Sequence, residues 1–557
     1  MIGLSILDWC VIGVYFLILI GVVWWSSRKQ ASTKDYFLAG RSVGWFAIGA
    51  SIFASNIGSE HLVGLAGQGA STGLAMAHWE MQAWMLVMLG WIFVPFYYRS
   101  GVFTMPEFLE KRFNRKARGI LSIVSLLAYV LTKVSVTVYA GALVFQTLLP
   151  DAFGSPEKAF WIGAFATVVL TGIYTIFGGL RAVLYTDAAQ AIILVIGSAF
   201  ITVFGLDKLG GLGELKAICG QSAEQFALWR PLSDPDFPWL GVLIASPIIG
   251  FWYWCTDQYI VQRTLAAKNL PTARRSALFG GFMKVWPVLI FLIPGMIGYA
   301  LHQKGLIHIP LGEDGTMRGD QVFPTMVTSL LPVGLRGLVV GGLLAALMSS
   351  LSSLFNSCAS LFTVDIYEKI RPGRTEREYV TVGRMATGVV VGLGVLWIPV
   401  MKMVASGGLY QYLQSVQGYL APPIAAVFLL GLFWKRINAH GAVWGLASGF
   451  LLGIGKLTVQ TFFGTGKLEN PEWLAYIGDY NFLYSTGWLF AISMVVITVL
   501  SLFTAPPSAE KTDDLTYSSI REKGGKLSEG VTSFDIGLSA VVIGLVVVMY
   551  LYFSFWL

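Results

Sequence analysis

The sequence predicts an all-α polytopic membrane protein. Three observations carry that expectation. Of 557 residues, 55% are hydrophobic and only 12% charged, a balance foreign to soluble domains. The apolar residues gather into about fourteen segments, each able to cross the ~30 Å hydrocarbon layer as a helix. Lys and Arg cluster in alternate loops, as the positive-inside rule requires.

The segments run 8–26, 45–68, 73–98, 119–149, 160–177, 183–206, 238–262, 277–301, 333–366, 379–403, 408–434, 439–462, 480–504 and 532–556. The first lacks a basic leader and reads as a retained helix, not a cleaved signal. Positive clusters follow odd-numbered segments: Arg28, Lys29, Lys34 and Arg41; Lys111, Arg112, Arg115, Lys116 and Arg118; Arg263, Lys268, Arg274 and Arg275; Lys369, Arg371, Arg374 and Arg377; Lys435 and Arg436. That side is expected to be cytoplasmic, with both termini outside. The net charge of +7 therefore reports topology and gives no reason to expect nucleic acid. External loops at 207–237 and 302–332 are too short for a folded domain, so no obligatory protein partner is expected. The loop at 505–531 is polar and reads as loosely ordered. The chain 1–557 reads as one transmembrane domain. Cys10, Cys219, Cys255 and Cys358 are scattered, with neither metal spacing nor a disulfide framework. No phosphate loop, metal-spaced His/Cys cluster or nucleophile elbow is present, so no enzyme is expected.

The segment 45–68 contains Ala54-Ser55-Asn56-Ile57-Gly58-Ser59-Glu60-His61 at mid-depth. A charge there costs about 2.5–3.5 kcal/mol on insertion scales. Gly58 frees the backbone and small polar residues surround it, so the helix is expected to break and line a water-filled site. Five segments later, Ser246-Pro247 and Gly250 precede Trp252-Tyr253-Trp254-Cys255-Thr256-Asp257, a second interrupted helix. Paired interruptions in two five-helix halves indicate an inverted repeat, 45–206 against 238–434. Segment 8–26 is then an extra N-terminal helix, and 439–557 supplies C-terminal helices.

Ionisable residues at membrane depth are functional candidates: Glu60, His61, Glu80, Lys133, Asp187, Asp257 and Lys284. Glu80 and Lys284 offset each other's desolvation if they meet, as a structural pair or as part of a site. Asn56, His61, Glu80, Lys284, Gln414 and Gln417 offer many donors and acceptors. Trp79, Trp252, Tyr253, Trp254 and Tyr410 offer flat walls. That mixture suits a neutral polyol, whose hydroxyls need partners and whose C–H faces need aromatic rings. In the ninth segment, Ala346 precedes Ser349, Ser350, Ser352 and Ser353. These hydroxyls either bond back to carbonyls or, with the carbonyls of Ala54 and Ile57, ligate a hard cation.

At these residues the chain resembles the sodium/solute symporter family, in its sodium/glucose cotransporter branch. The resembling motifs are Asp35-Tyr36-Phe37-Leu38-Ala39-Gly40-Arg41, the Ala54–His61 run, Trp252 to Gln258, Ser349 to Ser357, and Gln414 leading into Pro422-Pro423. The resemblance implies a LeuT-type core of two inverted five-helix repeats with flanking helices. It implies Asn56, His61, Glu80, Tyr253, Trp254, Lys284 and Gln414 as sugar contacts. Tyr253 becomes the inner gate, Trp79 and Tyr410 the outer gate. Ala54, Ile57, Ala346, Ser349 and Ser350 become a sodium site, and Asp187, Ser352 and Ser353 a second one. Glu60 and Gln417 depart from the animal pattern. The long segment before the last helix and the cysteine-rich external loop of the animal proteins are lacking, so the chain resembles a bacterial member.

The expected function is sodium-coupled import of a neutral monosaccharide, glucose or galactose, by alternating access in the cell's inner membrane. Its partners are then sugar, Na+ and membrane lipid. The alternatives are transport of another polyol such as myo-inositol, or a sugar-gated sensor or ion leak. Asp187 serves a second sodium or, alternatively, pairs with Arg181.

Overall fold

The computed structural model describes residues 4–26, 32–58, 60–149, 153–312, 315, 317–404, 409–463, 471–522 and 529–557. Arg28 and Lys29 of the first basic cluster, and Ser59 of the central polar run, lie outside the described residues. Thirteen described helices are long and apolar enough to cross a membrane, and a further half-length helix precedes the second of them. In chain order they are α1 (Ile6–Ser26), α2 (Trp45–Asn56), α3 (Glu60–Ser100), α4 (Arg115–Leu148), α5 (Pro156–Ile176), α6 (Gly178–Leu209) and α7 (Trp239–Leu265). Then follow α8 (Leu270–Gln303), α9 (Leu335–Ile370), α10 (Glu376–Pro399), α11 (Tyr410–Phe433), α12 (Ala439–Phe463), α13 (Phe482–Phe503) and α14 (Ser533–Ser554).

The expected break in 45–68 is present. Helical hydrogen bonding stops at Ile57, whose backbone turns to ψ 89°, and resumes at Glu60. The second half-helix runs to Thr72 and ends at Gly73, where φ is +62°. A Cβ there would overlap the Phe226 backbone, so only glycine fits. The chain then continues into the next crossing, which is why α3 is 41 residues long. Helices α5 and α6 form a similar continuous run of 54 residues interrupted at Gly179, with φ +55°. Unbroken, it would be about 80 Å long, more than twice the hydrocarbon thickness, so the chain must reverse at that glycine.

The second interruption differs from the sequence expectation in position. Pro247 and Gly250 stay inside the helix Trp239–Phe251. The turn widens to π geometry over Trp252–Thr256, and the helix breaks at Asp257, which is extended (φ −81°, ψ 132°). Gly250 serves close approach instead: a Cβ there would lie 2.7 Å from the Gln82 amide.

Burial separates core from periphery. In α9 and α11, 89% of the apolar window is buried, against 22% in α1 and α14 and 28% in α13. The inner helices carry the polar candidates, and the outer ones present leucine, valine and tryptophan outward. Helix α8 packs closely on the second half-helix through glycines: a Cβ on Gly295 would overlap the Ala66 carbonyl. The 505–531 loop is not loose where it is described. Thr516, Ser519 and Ile520 are buried, Lys511 Nζ donates to Glu110 O at 3.0 Å, and Arg99 pairs with Glu529 at 3.2 Å. Its residues 523–528 lie outside the described set. Among the described residues all four cysteines are free.

Candidate functional site

A polar cavity lies in the bundle between the two helix breaks. Its walls include Asn56, Glu60, His61, Trp79, Glu80, Gln82, Lys133, Tyr253, Trp254, Lys284, Tyr410, Gln414 and Gln417, with Ile249 and Leu413 as apolar patches. Local backbone geometry delivers several of them. Glu60 and His61 open the second half-helix in a π-type turn, Lys133 sits in one inside α4, and Tyr253 and Trp254 sit in the one that ends at the Asp257 break. A π-turn inserts an extra residue and rotates its side chains off the regular stripe. That is how polar residues in apolar sequence come to face one point.

The centre is Glu80. Lys284 Nζ donates to its Oε2 at 2.5 Å, and the Tyr410 hydroxyl donates to Oε1 at 2.7 Å. His61 Nε2 stands 3.4 Å from Oε1, without the alignment of a hydrogen bond. Trp254 Nε1 donates to Gln82 Oε1 at 3.2 Å, and Gln82 Nε2 donates to Ser246 O at 2.8 Å. Lys133 Nζ donates to the Tyr253 hydroxyl at 2.5 Å and lies 4.1 Å and 4.2 Å above the rings of Tyr253 and Tyr259. Tyr253 meets Trp254 edge-on, with centroids 4.8 Å apart.

Several wall atoms have no partner: Asn56 Oδ1, both His61 nitrogens, Trp79 Nε1 and Gln414 Oε1. An orphaned buried polar atom costs about 1–3 kcal/mol, so four side chains leaving such atoms at one spot mark a place built for a polar guest. The open space is about 30 Å³, room for about two water molecules. A sugar ring enters only when the walls move apart.

A second cluster lies beneath the break, around Asp187. Its carboxylate accepts from Ser51 at 2.6 Å, Ser55 at 3.0 Å and Ser349 at 2.5 Å, while Ser353 is at 3.5 Å. Ser350 Oγ donates to Ser55 O at 3.3 Å. Among the last carbonyls of α2, Phe53 O accepts from Ile57 N and Asn56 O from Gly58 N. Ser55 O also takes the Tyr259 hydroxyl. The carbonyls of Ala54 and Ile57 remain outside these bonds, as helix C-termini leave them. Oxygen ligands of this kind suit a hard cation.

The structure thus unites most of the sequence-predicted residues and separates a few. Asn56, His61, Glu80, Tyr253, Trp254, Lys284, Gln414, Gln417, Trp79 and Tyr410 share the cavity. Trp252 does not: it is buried in the helix packing, while Tyr253 and Trp254 of the same π-turn line the cavity. Ser349 faces Asp187, whereas the sequence pattern groups it with Ser350. Ser352, grouped with Asp187, donates back to Ser349 O at 2.9 Å. Asp187 does not pair with Arg181, which stands 5.9 Å from the Trp25 ring. Its nearest cation is Arg263, at 4.0 Å. Sequence reasoning did not place Gln82 or Lys133 in the site. Lys133 was visible as a lone ammonium in an apolar run. Gln82 had a weaker signal, a single amide two residues after Glu80.

Two interrupted helices meeting at a polar cavity inside a membrane bundle are the architecture of a secondary transporter. The family follows from the chain itself: it belongs to the Sodium:solute symporter family, whose model matches residues 36–449. It is 41% identical over 530 residues to the sodium/glucose cotransporter 1 of Oryctolagus cuniculus, covering 90% of this chain and 79% of the relative. It is 39% identical over 541 residues to the sodium/myo-inositol cotransporter 2 of Homo sapiens, covering 92% and 79%. A substrate-bound, outward-open Na+-coupled sialic acid symporter aligns with a TM-score of 0.74 at 22% identity, over 90% of this chain and 99% of that one. That likeness shows the fold, the LeuT type expected from the sequence. The protein is a multi-pass membrane symporter with sodium as its coupling ion.

Proposed function

We propose that the chain imports a neutral hexose, glucose or galactose, together with sodium. The observation that carries this reading is the cavity itself: unpartnered donors and acceptors on Asn56, His61, Trp79 and Gln414, with tyrosine and tryptophan rings between them. Glu80 and Lys284 pair with each other and keep bonding capacity for sugar hydroxyls. Tyr253 closes the cytoplasmic side, and Trp79 and Tyr410 the outer side. Sodium binds at the break beside Ser350 and the carbonyls of Ala54, Ile57 and Ala346. A second ion binds at Asp187 with Ser349 and Ser353.

In the proposed cycle, sodium stabilises the outward-open arrangement. Sugar then draws the outer gate shut, and the core rocks against the flanking helices. The two repeats span 45–206 and 238–434, both termini face outward, and the protein works in the cell's inner membrane as a carrier, not an enzyme. The similarity to a myo-inositol cotransporter keeps a second polyol in view. Reconstituted protein separates these readings. Labelled glucose and galactose should accumulate under an inward sodium gradient, and unlabelled hexose should compete better than myo-inositol. Sodium current without sugar accumulation would instead make the protein a sensor or leak.

A further inference from the structure

Glu60 is the second carboxylate on the cavity wall, beside Glu80. It is 2% exposed, and Thr137 Oγ1 donates to it only at 3.4 Å. On one side it shares the cavity with the ammonium groups of Lys133 and Lys284. On the other side is the helix break. A Cβ on Gly58 would overlap Glu60 Oε2 and lie 2.6 Å from Ser350 Oγ. The carboxylate and the hydroxyl therefore converge on one point at the break. Gly58 is the residue that leaves this point open.

We infer that Glu60 supplies the negative charge of the sodium position beside Ser350, and so ties that ion to the sugar cavity. The inference rests on the sodium-symport reading. The other oxygens there, from Ser350, Ala54 and Ile57, are neutral. A hard monovalent cation leaving water gains most from a nearby full charge at low dielectric. The same carboxylate faces the sugar cavity, so a bound ion and a bound sugar share one wall residue. Glu60 is a specificity-determining residue of the ion step.

Balancing the two lysines is the competing role, and two variants separate them. Glu60→Gln removes the charge. Glu60→Asp keeps the charge for the lysines but draws it back from Ser350 by one methylene. The readout is the thermal unfolding midpoint of the purified full chain, titrated with sodium chloride against choline chloride in the absence of sugar. Expected is a half-saturating sodium concentration raised about tenfold in Glu60→Gln, and several-fold in Glu60→Asp. Wild-type sodium affinity in Glu60→Gln would overturn the assignment. Wild-type affinity in Glu60→Asp beside a loss in Glu60→Gln would overturn it in favour of lysine balance. A wild-type chain whose midpoint ignores sodium would overturn the symport reading, and with it this role.

Discussion

Lys284 Nζ donates to Glu80 Oε2 at 2.5 Å between α8 and α3, and neither side chain reaches solvent. Removing one partner strands a buried charge, at about 3–5 kcal/mol. Glu80→Gln and Lys284→Met should each lower the thermal midpoint and abolish hexose-dependent stabilisation. The double variant should recover much of the midpoint without recovering the hexose response. A double variant that again binds sugar would reduce the pair to a strut between helices.

Tyr253 is held by one group, the Lys133 ammonium, which lies over its ring and donates to its hydroxyl. Tyr253→Phe loses the bond, worth about 1.5–3 kcal/mol for a charged donor, but keeps the ring and the cation–π contact. It should retain a substantial part of sodium-driven uptake, whereas Tyr253→Ala should lose it. Equal losses in a side-by-side liposome assay would transfer the gate's role from ring to hydroxyl.

The serines of α9 should divide sharply. Ser352 satisfies its own hydroxyl on Ser349 O, so Ser352→Ala should leave sodium dependence almost unchanged. Ser349→Ala removes one of three short donors to Asp187 and should raise the sodium concentration needed for half-maximal uptake. Ser350→Ala removes the hydroxyl at the break and should abolish sodium-dependent uptake. Sodium curves for the three variants rank them directly, and a Ser352→Ala effect matching that of Ser349→Ala would contradict the assigned geometry.

Asp187 is expected to decide the coupling ratio. One inward charge at −100 mV contributes about 2.3 kcal/mol, and a tenfold gradient about 1.4 kcal/mol more. One sodium ion therefore supports roughly 500-fold accumulation and two on the order of 10⁵-fold. The reversal potential of the sugar current should report two ions for the wild type and one for Asp187→Asn. One ion in the wild type would leave Asp187 with a structural role beside Arg263.

Much of this was legible in the sequence, because the membrane penalises polar residues so heavily that each survivor is informative. Glu80 and Lys284 were visible as a candidate pair, and Gly58 as a break. What the sequence did not carry was direction. Trp252 and Tyr253 are adjacent in a helix rich in aromatics, and only the π-turn decides that one faces the cavity and the other the packing. Ser349, Ser350 and Ser352 are equally polar on paper, and helix rotation alone gives one to Asp187, one to the break and one to a backbone carbonyl. Arg263 reaches Asp187 across 76 residues of sequence, where Arg181 was the near neighbour. Proximity along the chain is a poor guide once helices pack.

The narrowness of the cavity has a consequence for solvent. With only about 30 Å³ open among its walls, the cavity holds little water in this arrangement. Admitting a sugar means admitting bulk solvent with it, and expelling that solvent before the opposite gate parts. Each turnover then carries a hydration change as well as a guest. Osmotic stress from polymers too large to enter should therefore slow opening, and the slope of rate against osmotic pressure should count the waters that move.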